Sequence, residues 1–326
     1  MEKSVFSRIN LYWLLLIVGV FAVVTGLILT NVLNAYYQIT LITIGINIIL
    51  AVSLNLIIGV CGQFSLGHAG FMCIGAYAAA IITRQIPTLP GLLLGMVVGM
   101  LISAVAALIV AIPTLRLKGD YLAIATLGFA EIIRIIVLNL EITNGAAGLT
   151  NIPKMTNWYI LFIALVLSLL VILNFGRSSL GRACIAIREN EVAAEAMGIN
   201  LTKYKCIAFI IGAMIASVAG SLYASYFRVI KPDIFSFNKS IDILVIVVFG
   251  GIGSMTGSII AGVALGVITL FLQSFAELRM LFYAISIIAI MIFRPEGLLG
   301  TKEFTISGLL KKIKKGGTKH GNTRNA

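Results

Sequence analysis

The sequence predicts an all-α polytopic integral membrane protein with about ten transmembrane segments, eight at the fewest, and with both termini cytoplasmic. Three observations carry that expectation. Of the 326 residues 60% are hydrophobic, and mean hydropathy is +1.08. Only 11% are charged, about half the share of an ordinary soluble domain. Apolar runs of 18 or more residues recur along the whole chain rather than gathering in one core, and each of these can cross a hydrocarbon layer about 30 Å thick. A soluble enzyme, a nucleic-acid-binding domain and a disordered chain are excluded together.

The first apolar run, 11–30, is long enough to span and lacks a small-residue cleavage site, so it reads as a retained helix. Further spans are predicted at 41–58, 68–83, 89–112, 121–140, 159–175, 206–227, 240–250, 256–275 and 278–293. Two of the shorter ones dipping in without crossing would reduce ten to eight. The net charge of +12 does not point to nucleic acid, because the basic residues are parcelled into loops and a tail. With ten spans and a cytoplasmic N-terminus, 17 of the 24 Lys and Arg fall inside and 6 outside, with Arg134 inside a span. That asymmetry sets the orientation. One membrane domain therefore covers 1–302, with a cytoplasmic loop at about 176–205, and a basic cytoplasmic tail covers 303–326. The four cysteines, Cys61, Cys73, Cys184 and Cys206, form no CxxC pair and read as free, buried residues.

Two places interrupt the apolar pattern in the same way. The first is GVCGQFSLGHAG at 59–70 and the second is GGIGSMTG at 250–257. Both are rich in glycine, uncharged and too short to be ordinary loops. Non-helical backbone at membrane depth is tolerated only against protein or a water-filled cavity, and paired interruptions point to a transport pathway. The plainer reading is close helix packing through small residues. Asn55, Gln63, Ser65 and His68 bring polar groups to the first break, which makes them candidates for the pathway. His68 has no second His, Cys or carboxylate at ligand spacing, so a hydrogen-bonded packing role stands ahead of proton relay or metal binding. Glu131 and Arg134 lie three apart on one face of the fifth span, where they can neutralise each other. They are a structural ion pair first and pathway candidates second, since charge at depth usually faces the bundle interior. Gly59, Gly62, Gly67, Gly250, Gly251 and Gly253 are the candidate hinges.

The loop at 176–205 holds the most structured polar stretch. Asn190 can cap a helix whose first turn carries Glu191, and Gly198 can close it. The expected result is about two turns over 191–197, with Glu191 and Glu195 on one face and Arg182, Arg188 and Glu189 preceding it. Such a helix suits docking on a soluble partner, and equally well an ordinary solvated loop. No GxxxxGK[ST] phosphate loop occurs, so the chain does not bind ATP by that route. With two histidines and few carboxylates, no catalytic residue, metal set or cofactor is expected.

The ordered blocks resemble a known family. SLNLIIG at 53–59, GQFSLGHAGF at 62–71 and GAY at 75–77 are similar to the signature of branched-chain amino-acid ABC importer permeases. So are LRLKGDYLAIATLGF at 115–129, with Glu131 and Arg134 following, and NGAAGL at 144–149, like the family's outward loop. GRACIAIRENEVAAEAMG at 181–198 resembles its coupling loop, and FGGIGS at 249–254 and RPEGLLG at 294–300 complete the series. The Gly-Asp-Tyr block and the Arg-Glu-Asn-Glu loop look more like the M-type subunit than the shorter H-type.

The resemblance implies a permease subunit in a bacterial plasma (inner) membrane. Its implied partners are an H-type second permease, two cytoplasmic ATP-binding subunits and an extracytoplasmic amino-acid-binding protein that delivers leucine, isoleucine or valine. Substrate would cross by alternating access within the lipid bilayer, and Arg182, Arg188, Glu189, Asn190, Glu191, Glu195 and Gly198 would carry ATPase closure into the bundle. The same architecture also fits urea, short amides or other amino acids. A self-sufficient ion-coupled transporter is the rival from another class, and would have to build its ion site from Glu131, Arg134, Asp242 and His68.

Overall fold

The computed structural model describes residues 2–30, 33–114 and 119–271, together with 285, 297, 298 and 300. The expected span at 278–293, most of the 294–300 block and the tail at 303–326 lie outside the described residues. The chain divides into two compact units, Met1–Gln38 with Lys302–Ala326, and Ile39–Thr301. The first contains α1 (Glu2–Leu29), a single 28-residue helix that covers the run expected at 11–30.

The described residues are helical, with one isolated antiparallel bridge between Leu149 and Ile230. After α1 come α2 (Ala35–Asn55), α3 (His68–Gln85), α4 (Leu89–Thr114), α5 (Asp120–Asn139) and α6 (Trp158–Arg177). Two short helices follow, α7 (Ser179–Glu189) and α8 (Glu191–Ala196), then α9 (Leu201–Phe227), α10 (Phe237–Gly250) and α11 (Met255–Phe271). Among the described residues five helices are long and apolar enough to cross a membrane, or six if α10 and α11 count as one span. The sequence separates that last pair into two spans; the structure bends them 119° apart at a break of a few residues. They form one broken span or a re-entrant loop.

α3 fills the expected third span but is less apolar than its neighbours and lies at the centre of the second unit. It packs most extensively against α4 and α9. Small residues permit this: Gly75 sits against the Ser217 backbone, and Gly220 against the Met72 carbonyl. The Ser221 hydroxyl donates to the Gly75 carbonyl at 3.0 Å across the same contact. On α4, Gly91, Gly95, Gly99, Ser103 and Ala107 form a buried stripe at four-residue spacing. Leu93, Val97, Leu101 and Val105 on the opposite side are exposed. An apolar outer face with a small-residue inner face is how helices pack where water supplies no driving force.

Gly220→Leu should therefore cost stability and yield folded protein poorly, because the new side chain meets backbone that cannot give way, an overpacking penalty of about 1–3 kcal/mol or more. Gly128→Ala has open space around the new carbon and should be neutral or slightly stabilising. Thermal unfolding in detergent distinguishes the two.

Candidate functional site at the joined breaks

The two interruptions meet. The first begins as α2 loosens into a π-helical turn, Leu56–Val60, and continues without regular structure through 61–67 until His68 opens α3. Widening to a π-turn disturbs the regular helical ladder, so backbone groups there must find other partners. The second break is 251–254, between α10 and α11.

Asn55 joins them. Its buried amide donates from Nδ2 to the Ser254 carbonyl and to Ser258 Oγ, both at 2.8 Å. Its Oδ1 accepts from the Gly253 amide, also at 2.8 Å. Gly59 lies so close that an added carbon would meet Asn55 Oδ1 and the Gly253 backbone. Only a residue without a side chain allows this approach. Gly62, Gly251 and Gly253 occupy the left-handed region, with φ of +70°, +112° and +92°. Gly250 packs on the Gly257 backbone, and Gly67 on the Thr126 carbonyl.

The loop helix α7 reaches this joint. Arg188 Nη1 donates to the Gly59 carbonyl at 2.5 Å, while Nε and Nη2 hold Glu189 Oε1 at 3.1 and 2.6 Å. A carbon built on Gly62 would lie 3.0 Å from Arg188 Cγ, and one on Gly253 3.3 Å from Nη1. One guanidinium therefore bonds the first break and lies at the edge of the second. Cys184 faces the same side of α7 and is buried, with its thiol 3.6 Å from the Tyr204 carbonyl.

Local sequence makes the loop rigid. Ser178 caps α7 by accepting from the Gly181 amide at 3.2 Å. Asn190 caps α8 through Ala193 at 3.0 Å, and Asn200 caps α9 through Lys203 at 3.0 Å. Each satisfies an amide the helix start would leave unpaired. Gly198, at φ +81°, closes the turn as expected. Glu191 Oε1 takes Lys205 Nζ at 2.5 Å, which ties α8 to α9. Glu195 is exposed beside Val192 and Met197, and Arg182 is exposed with its guanidinium on the Arg177 carbonyl.

Two sequence expectations change here. The helix at 191–197 ends one residue earlier, at Ala196, and the stretch before Asn190 is the 11-residue helix α7 rather than loop. Its signal was present: a Ser178 cap and buried Gly181, Cys184 and Ile187 at three-residue spacing.

The six polar pathway candidates do not form one constellation. His68 Nε2 lies 2.7 Å from Ser53 Oγ, which also donates to the Leu50 carbonyl, so the serine oxygen is left to accept from the ring. His68 is 1% exposed and held in this way. Ser65 Oγ accepts from the Gly67 amide at 3.4 Å. Gln63 is buried with its amide toward the Cys61 thiol, and finds no nitrogen or oxygen partner among the described residues. Glu131 and Arg134 pair on α5 at 2.7 Å, and Arg134 also holds Asp233 at 3.2 Å. Among the described residues no three His, Cys, Asp or Glu gather as a metal site would require. Sequence reasoning missed Ser258 and Asp233, whose partners Asn55 and Arg134 lie 203 and 99 residues away, and Lys205, which reaches back 14 residues to Glu191.

The family described as branched-chain amino acid transport system / permease component matches residues 36–291. The high-affinity branched-chain amino acid transport system permease protein LivM of Salmonella typhimurium is 38% identical over 289 residues, covering 78% of this chain and 68% of that protein. The LivH protein of the same organism is 32% identical over 162 residues, covering 49% of this chain and 51% of its own. A probable LivM of Methanocaldococcus jannaschii is 25% identical over 291 residues, covering 80% and 82%. No solved structure matches. The greater identity and coverage lie with the M-type protein, as the Gly-Asp-Tyr and Arg-Glu-Asn-Glu blocks imply. The chain belongs to the branched-chain amino acid transport system permease family.

Proposed function

We propose that this chain is the M-type permease subunit of an ATP-driven importer, moving leucine, isoleucine and valine by alternating access. In this reading two separate subunits hydrolyse ATP, an H-type permease completes the pathway, and an extracytoplasmic binding protein delivers the amino acid. Eight to ten spans, eight if α10 and α11 dip in without crossing, with both termini in the cytoplasm would put the 176–205 connection on the ATPase side of a bacterial inner membrane. Residues 1–302 then form the permease domain, and 303–326 a basic cytoplasmic tail.

The observation that carries the proposal is Arg188, which reaches from that connection to the Gly59 carbonyl and the edge of Gly253. Movement of α7 is delivered directly to the two places where the spans are broken. Arg182, Glu189, Asn190, Glu191, Glu195 and Gly198 shape the surface an ATPase would press. Asn55 keeps the two breaks moving together, while Gln63, Ser65 and His68 line the same segment. Coupling then requires two arrangements of the joint that ATP binding weights differently.

The test is uptake of labelled leucine, isoleucine, valine and urea in cells lacking and regaining this chain. Branched-chain uptake that survives collapse of the proton gradient and stops when ATP is depleted supports the reading. Uptake that follows the gradient overturns it, and restored urea uptake alone changes the substrate.

A further inference from the structure

The end of α9 far from the 176–205 connection carries a rigid basic surface. α9 starts at its Asn200 cap, beside that connection, and runs 27 residues to Phe227, about 40 Å. Its far end is clasped by the segment that leads into α6. The Leu149 and Ile230 backbones pair in both directions, at 2.9 and 3.0 Å, and the Ile152 amide donates to the Arg228 carbonyl at 3.2 Å. Ser225 Oγ donates to the Pro153 carbonyl at 3.3 Å and accepts from the Met155 amide at 3.1 Å.

Three cations stand on this clasp. Lys154, Arg228 and Lys231 are exposed, and none pairs with a carboxylate among the described residues. Lys154 Nζ lies 4.7 Å from the centroid of the Tyr226 ring, which holds it over α9. Asp233, two residues beyond Lys231, is taken by Arg134. Folding alone does not ask for this arrangement. Outward cations run against the charge bias that orients a membrane chain, and these are three of the six Lys and Arg expected outside. The backbone is also held in a form usually left to glycine. Asn144, Asn151 and Arg228 have φ of +59°, +57° and +65°, and no other non-glycine among the described residues has a positive φ. Arg228 follows the last turn of α9, where glycine is the ordinary residue. An arginine kept there despite the backbone strain is presented at a fixed place.

We infer that Lys154, Arg228 and Lys231 form the seat on which an acidic face of the extracytoplasmic binding protein docks. This deepens the importer reading and rests on it, since that reading puts the far end of α9 outside. Position favours a protein over lipid head groups. The apolar window of α9 is 67% buried, against 33% for α4 and α5, so its end emerges within the bundle and not at the lipid rim. A preformed seat loses little freedom when a partner docks. Its unpaired like charges speed encounter with an acidic surface and make that encounter sensitive to salt.

The test uses the whole importer in nanodiscs of neutral lipid, with its leucine-loaded binding protein as probe. The triple variant Lys154→Gln, Arg228→Gly, Lys231→Gln should raise the Kd for the binding protein about tenfold, mainly through slower association, and flatten its dependence on salt. Arg228→Gly alone should weaken docking several-fold. It puts glycine at a positive φ, so the fold is kept and thermal unfolding should not move down. In proteoliposomes the triple variant should need more binding protein for half-maximal leucine uptake and reach the wild-type maximum when that protein is in excess. A damaged clasp would lower the maximum instead, and that result overturns the seat. Unchanged Kd and salt dependence overturn it too. So does a defect seen only in vesicles containing anionic lipid, because the cations would then be reading head groups. Wild-type vesicles without ATP-driven leucine uptake would overturn the importer reading itself, a result separable from all of these.

Discussion

Arg188→Ala is expected to cut ATP-driven uptake about 10- to 100-fold, the range set by losing a hydrogen bond to a charged group, while the protein stays inserted and folded. The side chain spans an interface rather than a core, with 29% exposure, and its other partner Glu189 is 68% exposed. Truncation therefore leaves Glu189 solvated, and the Gly59 carbonyl becomes open to water through the vacated space. What disappears is the connection from α7 to the backbone of the first break and to the edge of the second. Hydrolysis by the ATPase subunits should continue, so the signature is transport lost per ATP. Arg188→Lys should fall between, because an ammonium can reach one acceptor but lacks the planar fork that holds Glu189 at the same time. Full uptake by the alanine variant would mean that α7 does not drive the breaks through this contact.

Asn55→Leu should be the most destabilising single change in the joint, and here the loss is one of folding. The Ser254 carbonyl keeps its bonds from the Ser258 amide and hydroxyl. The Gly253 amide has no such reserve among the described residues and, being only part-buried, would be left unpaired at the low end of a cost of about 1–3 kcal/mol, with roughly 1 kcal/mol more for each of the two other bonds lost. Thermal unfolding in detergent should move down by several degrees, and uptake should fall with the amount of folded protein. Asn55→Asp gives the sign of a pH effect. An ionised carboxylate would face the Ser254 carbonyl, whereas a protonated one can donate to it. The neutral form is therefore the one that fits, because only it can donate to the carbonyl. The stability of this variant should therefore rise as pH is lowered. Wild-type protein should show no such dependence from this position, and a flat profile in the variant would mean that the carboxylate finds another donor.

How much of this was legible follows from range. Hydropathy made the spans visible, and the glycine runs marked both breaks. The α8 cap was readable because Asn190 and Ala193 are three residues apart. So was the Glu131–Arg134 pair, at the same spacing. α7 was less legible, since Gly181 in its first turn and Arg182 among its apolar positions blur the periodicity. The joint could not be read at all. Arg188 meets Gly59 across 129 residues, and Gly253 meets Asn55 across 198. Contacts of that kind leave no local pattern, only a glycine or an amide in an otherwise apolar stretch. Asp233 was missed for the same reason, 99 residues from the arginine it holds.

That separation also sets an order of birth. Asn55 leaves the ribosome 198 residues before the Gly253 amide it will hold, about 10–40 s at ordinary synthesis rates of 5–20 residues per second. During that interval a polar amide waits inside an apolar segment with no final partner. The second unit therefore cannot close helix by helix as it is inserted. The joint stays unfinished until the last broken span arrives, and a chain truncated before residue 253 should be a substrate for quality control rather than a smaller permease.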